Sequence, residues 1–154
     1  MRIMKKVLIV DDSMSVRESF LDILSPLATC QVAANGQEAI NLIKLTQGIG
    51  DDFDIVIMDI IMPEKDGLTA VKEIRDYESL MGWSGHDALT ILITTTLKDP
   101  SRVKVAQESC GADDYIAKPF TRETLLKALK KYGLSTHKKS SFTTEENRKW
   151  GYAS

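Results

Sequence analysis

Short apolar runs separated by helix-length stretches constrain this chain more than any other feature. Val7-Leu8-Ile9-Val10, Ile55-Val56-Ile57-Met58 and Ile91-Leu92-Ile93 are continuous, largely β-branched and far too short for buried helices. Apolar on both alternating sides, they read as central strands of a parallel sheet covered on both faces. Residues 29–34, with Cys30, Val32 and Ala34 on one face, and 115–117 are mixed or short and read as edge strands.

The stretches between them carry helical spacing. Ser13 is placed to cap a helix whose inward face is Val16, Phe20, Ile23/Leu24 and Leu27. Asn35-Gly36 turns into a helix with Ala39, Ile40 and Ile43 inward, and Asp66 caps one with Leu68, Val71 and Ile74 inward. A long connection over 77–87 carries Trp83 and His86; His86 is expected to be an ordinary surface histidine. Pro100 suits the first turn of the next helix. Its apolar stripe is thin (Val103, Ala106, Cys110), which predicts a poorly anchored element. After Gly111 and strand 115–117, Thr121 caps a last helix with Leu125/Leu126, Leu129 and Tyr132 inward, and Gly133 is a stop signal. Strictly alternating strands and helices imply an α/β, doubly wound, five-stranded parallel sheet. With the most apolar strands central and right-handed crossovers, the order is 2-1-3-4-5, and ligands are expected at the switch point between strands 1 and 3.

What the strands deliver at their carboxyl ends is chemically loaded. The first ends in Asp11-Asp12, the third in Asp59, the fourth in Thr94-Thr95-Thr96 and the fifth in Lys118-Pro119. In a parallel sheet these ends share one edge. Clustered carboxylates repel unless something cationic sits among them, and a hard divalent cation together with a lysine meets that need.

Composition excludes several classes. Hydrophobic content of 43% and charged content of 27% over 154 residues suit one globular domain. A net charge of -2 argues against direct nucleic-acid binding. No apolar run approaches a membrane span, so no membrane insertion is expected. The basic start Met1-Arg2-Ile3-Met4-Lys5-Lys6 precedes only a strand-length run, not a signal sequence. Cys30 and Cys110, far apart and without metal-ligand spacing, read as free thiols in a reducing, cytoplasmic setting.

The segments "VLIVDDS", "ANGQEAI", "DIVIMDIIMPEKDGL", "ILITTT" and "GADDYIAKPFT" together resemble the receiver domain of bacterial two-component response regulators, over roughly residues 5–133. The resemblance implies a flavodoxin-like (βα)5 fold and a phosphorelay signalling protein rather than an enzyme. It implies that Asp59 is the phosphoacceptor and that Asp11, Asp12, Asp59 and the backbone carbonyl of Ile61 hold Mg²⁺. Thr95 then resembles the phosphoryl-binding hydroxyl, Lys118 its cationic partner and Tyr115 the switch aromatic, with a cis peptide at Lys118-Pro119. The Thr95-to-Lys118 interval is one residue longer than the usual pattern, which leaves Thr96 as an alternative hydroxyl. The implied partners are a sensor histidine kinase or phosphotransfer protein and a downstream protein target, with a weak or phosphorylation-linked dimer compatible with the same resemblance.

Residues 134–154 form a C-terminal tail. The pattern Thr143-x-x-Glu146 is compatible with a short helix, and Lys138, Lys139, Phe142, Trp150 and Tyr152 with docking; a disordered tail is the plainer expectation. That length leaves no room for a DNA-binding output domain, so a stand-alone, chemotaxis-regulator-like receiver is expected. Two other functions compete: a docking module that signals without phosphorylation, and a Mg²⁺-dependent aspartyl-phosphate hydrolase. The hydrolase lacks a second acid two residues after Asp59, where Ile61 stands. Ile61 and Leu97, two residues after Asp59 and Thr95, offer no hydrogen bond to an attacking water, so slow self-dephosphorylation is expected; with Thr96 as the hydroxyl the second position is instead Lys98, which could recruit water.

Overall fold

The computed structural model describes residues 4–62, 65–96 and 98–135. Pro63, Glu64, Leu97 and the tail features between Lys138 and Tyr152 lie outside the described residues. The strands are β1 (Lys6–Val10), β2 (Thr29–Ala33), β3 (Ile55–Asp59), β4 (Thr90–Thr95) and β5 (Asp114–Ala117). They form one five-stranded parallel sheet in the order β2-β1-β3-β4-β5, as the apolar ranking of the runs predicts. The helices are α1 (Met14–Leu24), α2 (Gly36–Thr46), α3 (Gly67–Met81), α4 (Pro100–Cys110) and α5 (Arg122–Lys130).

Side-chain alternation divides the core into two layers. Leu8, Val10, Val56, Met58, Ile91 and Ile93 face α2 and α3, where Ala39, Ile40, Ile43, Ala70, Val71 and Ile74 meet them. Val7, Ile9, Ile55, Ile57, Leu92 and Ile116 face α1 and α5, against Phe20, Leu24, Leu125 and Leu129. Burying each large aliphatic side chain contributes roughly 1.5–3 kcal/mol, so these layers dominate the stability. The expected caps Ser13, Asp66 and Thr121 are in place, and Asn35 and Asp99 act as caps too; each side chain accepts a backbone N–H of the first turn that follows. Gly111 and Gly133 both adopt positive φ where a side chain would be strained.

The predicted thin anchorage of α4 is observed: only Val103 and Cys110 are buried along it. β2 lies at the edge of the sheet, as its mixed sequence predicts. Ala33 is buried, Cys30 packs against the α1/α5 layer, and Val32 is 41% exposed. As an edge strand β2 has one neighbour and loose cover, so its apolar side chains need not all find a partner. Two expectations need correction. The connection after α3 spans Gly82 onward, in line with a loop over 81–87 and not with the wider span from 77, because the helix continues to Met81 and is closed by Gly82 in the left-handed region. Tyr132, expected on α5, lies beyond its end at Lys130, where its phenol donates to Asp114 at 3.0 Å.

One buried polar network was not foreseen. Glu78 on α3 is 3% exposed. It accepts from Arg75 at 2.7 Å and from the backbone N–H of Leu89. Arg75 in turn donates to the carbonyls of Leu89 and Gly111 and to Asp113. The pair thereby ties α3 to the start of β4 and to the turn before β5.

The turn from β3 into α3 closes tightly over the end of β3. The N–H of Gly67 donates to the carbonyl of Ile60 at 2.8 Å. A Cβ at position 67 would lie 1.9 Å from the carbonyl oxygen of Asp59, an overlap no side chain tolerates without backbone movement. We therefore expect Gly67→Ala to destabilise the protein by about 3 kcal/mol, as for other overpacked sites, in denaturant unfolding. A loss below about 0.5 kcal/mol, the range of ordinary surface changes, would contradict this close approach.

Candidate phosphoacceptor site

The strand ends converge as the topology requires. Asp11 follows β1, Asp59 closes β3, Thr95 closes β4, and Lys118 follows β5. Lys118 Nζ lies 2.7 Å from Asp11 Oδ2 and 3.3 Å from Asp59 Oδ1. Asp11, Asp12 and Asp59 each offer a carboxylate oxygen, and these atoms lie within 4.8 Å of one another. Asp11 is 1% and Asp59 7% exposed, whereas Asp12 is open to solvent.

Local structure fixes each group. Asp11 Oδ1 accepts the N–H of Ser13 at 2.9 Å, and the Asp11 carbonyl accepts Arg17 at 2.7 Å, which binds the start of α1 to the end of β1. The Lys118–Pro119 peptide is cis. Phe120, next in the chain, stacks on Phe20 of α1 with centroids 4.4 Å apart. The loop that carries Lys118 is thus held against α1. The N–H of Lys118 donates to the Thr95 carbonyl at 2.7 Å.

Electrostatics follow from burial. Desolvation raises the pKa of Asp59 above its ordinary 3.8, and the charges of Asp11 and Asp12 push the same way, against the ammonium of Lys118. Burial by itself would lower the pKa of Lys118. Its hydrogen bonds and charge interactions with Asp11 and Asp59 outweigh that, and the net shift is upward. One lysine cannot neutralise three carboxylates, and the oxygen-only donor set suits a hard divalent cation. Mg²⁺ therefore fits the residues present.

The remaining expected residues divide between the two faces. Thr95, two residues beyond Ile93, continues the α3 side of the sheet and is 3% exposed. Tyr115 packs against that same core layer, and its register partner on β4 is Ile93. Thr96 lies past the strand and is exposed. Ile61 is 70% exposed, on the loop directly after the Asp59 strand. His86 is exposed on a short turn at the opposite end of the sheet, away from the carboxylates. Arg17, Phe20 and Gly67 contribute to the site's frame without having been singled out for it. Phe20 and Gly67 carried signals only for core and turn, and Arg17 carried none.

Comparison with known proteins agrees with this geometry. A family model described as the response regulator receiver domain matches residues 7–130. The chain is 34% identical to the chemotaxis protein CheY of Halobacterium salinarum, over 81% of this chain and 93% of that protein. It is 33% identical to the probable C4-dicarboxylate response regulator DctR of Bacillus subtilis, over 82% of this chain but only 51% of that protein. It is 38% identical to the response regulator MprA of Mycolicibacterium vanbaalenii, over 79% of this chain and 47% of that protein. The chain thus spans about half the length of these two longer relatives. Among solved structures, the chemotaxis response regulator CheY4 of Vibrio cholerae superposes with a TM-score of 0.71 at 34% identity, over 84% of this chain and 98% of that one. No helix among the described residues is long and apolar enough to cross a membrane. With its doubly wound sheet, its acidic cluster at the switch point and a receiver match across most of its length, the chain belongs to the response regulator receiver domain family.

Proposed function

We propose that this chain is a phosphorylation-switched signalling module, with residues 5–133 as its receiver unit. In this reading Asp59 accepts a phosphoryl group from a phosphohistidine on a sensor kinase or phosphotransfer protein. The observation that carries it is the position of Lys118, within 2.7 Å of Asp11 and 3.3 Å of Asp59, beside a three-carboxylate cluster. A carboxylate oxygen of Asp59 attacks phosphorus as the nitrogen–phosphorus bond of the donor breaks. The electron pair stays on the imidazole, which takes up a proton. Such transfers require positioning and charge neutralisation more than covalent assistance. Mg²⁺, held by Asp11, Asp12, Asp59 and the Ile61 carbonyl, would neutralise charge on the transferred group.

Lys118 supplies a fixed positive charge to the incoming oxygens. Thr95 offers its hydroxyl to a phosphoryl oxygen; its burial at the strand end, against the exposed Thr96, supports this choice. Thr95 and Tyr115 share the sheet face that α4 covers with only two buried side chains. Movement of Thr95 toward the phosphoryl group would free space for Tyr115 to turn inward, and the surface of α4, β5 and α5 would change for a downstream protein. The 34% identity with a chemotaxis protein, over 93% of that protein's length, supports a signalling role.

We expect incubation with acetyl phosphate and Mg²⁺ to add one phosphoryl mass to the intact protein. Asp59→Asn, or EDTA with the unaltered protein, should abolish that gain. Persistent labelling of the Asn variant would remove Asp59 from this role.

The raised pKa of Asp59 also predicts a stability effect. Between pH 3.8 and the higher folded value, the folded chain keeps a proton that the unfolded chain releases. Stability therefore falls as pH rises through that window, and the cost persists above it. Asp59→Asn should melt a few degrees higher than the unaltered protein at pH 7 in EDTA, and added Mg²⁺ should narrow the gap. An Asn variant that melts lower would show that the ionised carboxylate is net stabilising.

Ile61 cannot orient a water for hydrolysis, so decay of the phosphorylated protein should be slow. Ile61→Asn should speed it by up to about tenfold, at the low end of what one positioned polar group contributes. Unchanged or slower decay would exclude a role for this position.

A further inference from the structure

Thr94 carries a feature that the proposed reaction does not use. It is 1% exposed. Its Oγ1 is buried with no hydrogen-bond partner among the described residues. A buried hydroxyl left unpaired costs folding free energy, and valine would fill nearly the same space without that cost. Such groups persist where function uses them.

Register shows what this hydroxyl is next to. Ile57 pairs with Leu92, and both belong to the core layer under α1 and α5. Two residues on, Asp59 pairs with Thr94, so their side chains leave the same face of adjacent strands. On its other side Thr94 pairs with Ile116, again of that layer, and Lys118 lies two residues beyond Ile116. Thr94 therefore sits beside Asp59 on the face that carries Asp11 and Lys118. Thr95 belongs to the opposite face. Neighbouring strands lie about 4.8 Å apart. A threonine hydroxyl is one bond from its Cβ and a carboxyl oxygen two bonds from its own, so a side-chain rotation can join them without backbone movement.

In the unmodified protein Asp59 Oδ1 is held by Lys118 at 3.3 Å. Once Asp59 carries a phosphoryl group, the greatest negative charge lies on the phosphoryl oxygens and Lys118 is drawn to them. One carboxyl oxygen of Asp59 is then bonded to phosphorus; the other would face Mg²⁺ with one lone pair and keeps its second lone pair as an acceptor toward the protein. We propose that the Thr94 hydroxyl donates a hydrogen bond to that second oxygen, making Thr94 a positioning residue that favours the phosphorylated state. This inference rests on Asp59 being the phosphoacceptor.

The test is equilibrium binding of beryllofluoride, a phosphoryl mimic, in excess Mg²⁺, followed by fluorine NMR. Thr94→Val should raise the half-saturating beryllofluoride concentration about tenfold, the worth of one hydrogen bond in a charged site. Thr94→Ser, which keeps the hydroxyl, should stay close to the unaltered protein. The unmodified Val variant should keep its Mg²⁺ affinity and be at least as stable in denaturant. Equal beryllofluoride affinity for Val and Thr would overturn the inference while leaving Asp59 in its role. A Val variant that loses Mg²⁺ affinity and stability together, or does not fold, would also overturn it, because the hydroxyl would then be structural. Failure of the unaltered protein to bind beryllofluoride would remove the reading of Asp59 and this inference with it.

Discussion

The constraint on which this structure turns is the crowding of like charge at one edge of a buried sheet. Three carboxylates share a few ångströms at the ends of β1 and β3, two of them almost out of water. Such a cluster costs folding free energy, and only a facing cation offsets it. Lys118 provides that partly, from a loop held against α1 by the Phe20–Phe120 stack and joined to β4 through the Thr95 carbonyl. The residual negative charge suits a divalent cation, and in the proposed function that cation would offset the charge of an incoming phosphoryl group, so the local instability and the proposed function have one origin.

The sheet separates two tasks by the alternation of its side chains. On the α1/α5 side the strands end in Asp11, Asp59 and Lys118, with Thr94 beside them. On the other side they end in Thr95, next to Tyr115 and the weakly anchored α4. Adjacent threonines on one strand therefore face different neighbours: one lies beside Asp59, the other on the side of the weakly anchored α4. The tightly packed turn at Gly67 and the Arg75–Glu78 network keep the α3 side rigid. Flexibility is then concentrated where α4 has little apolar area to hold it.

Much of this was legible in the sequence for simple reasons. Continuous apolar runs such as Val7–Val10 and Ile55–Met58 can hardly be anything but central strands, and their ranking is enough for the strand order. Caps at Ser13, Asp66 and Thr121 are local chemistry. Where the reading slipped, the missing information was non-local. Glu78 looks like any surface acid until Arg75 and the Leu89 N–H close around it. Gly67 reads as a turn residue, and only the folded chain shows the Asp59 carbonyl against its Cα.

By itself the sequence determined the order of strands and helices, the residue types at each strand end, and hence that acids and a lysine would meet at one edge. Periodicity and capping act over a few residues, so they survive in a linear reading. The tertiary structure decided what depends on distance and facing: that Lys118 reaches both Asp11 and Asp59, that Thr95 is buried while Thr96 is not, and that Thr94 shares a face with Asp59. Those relations come from strand register and side-chain alternation across residues far apart in the chain, which no local pattern encodes.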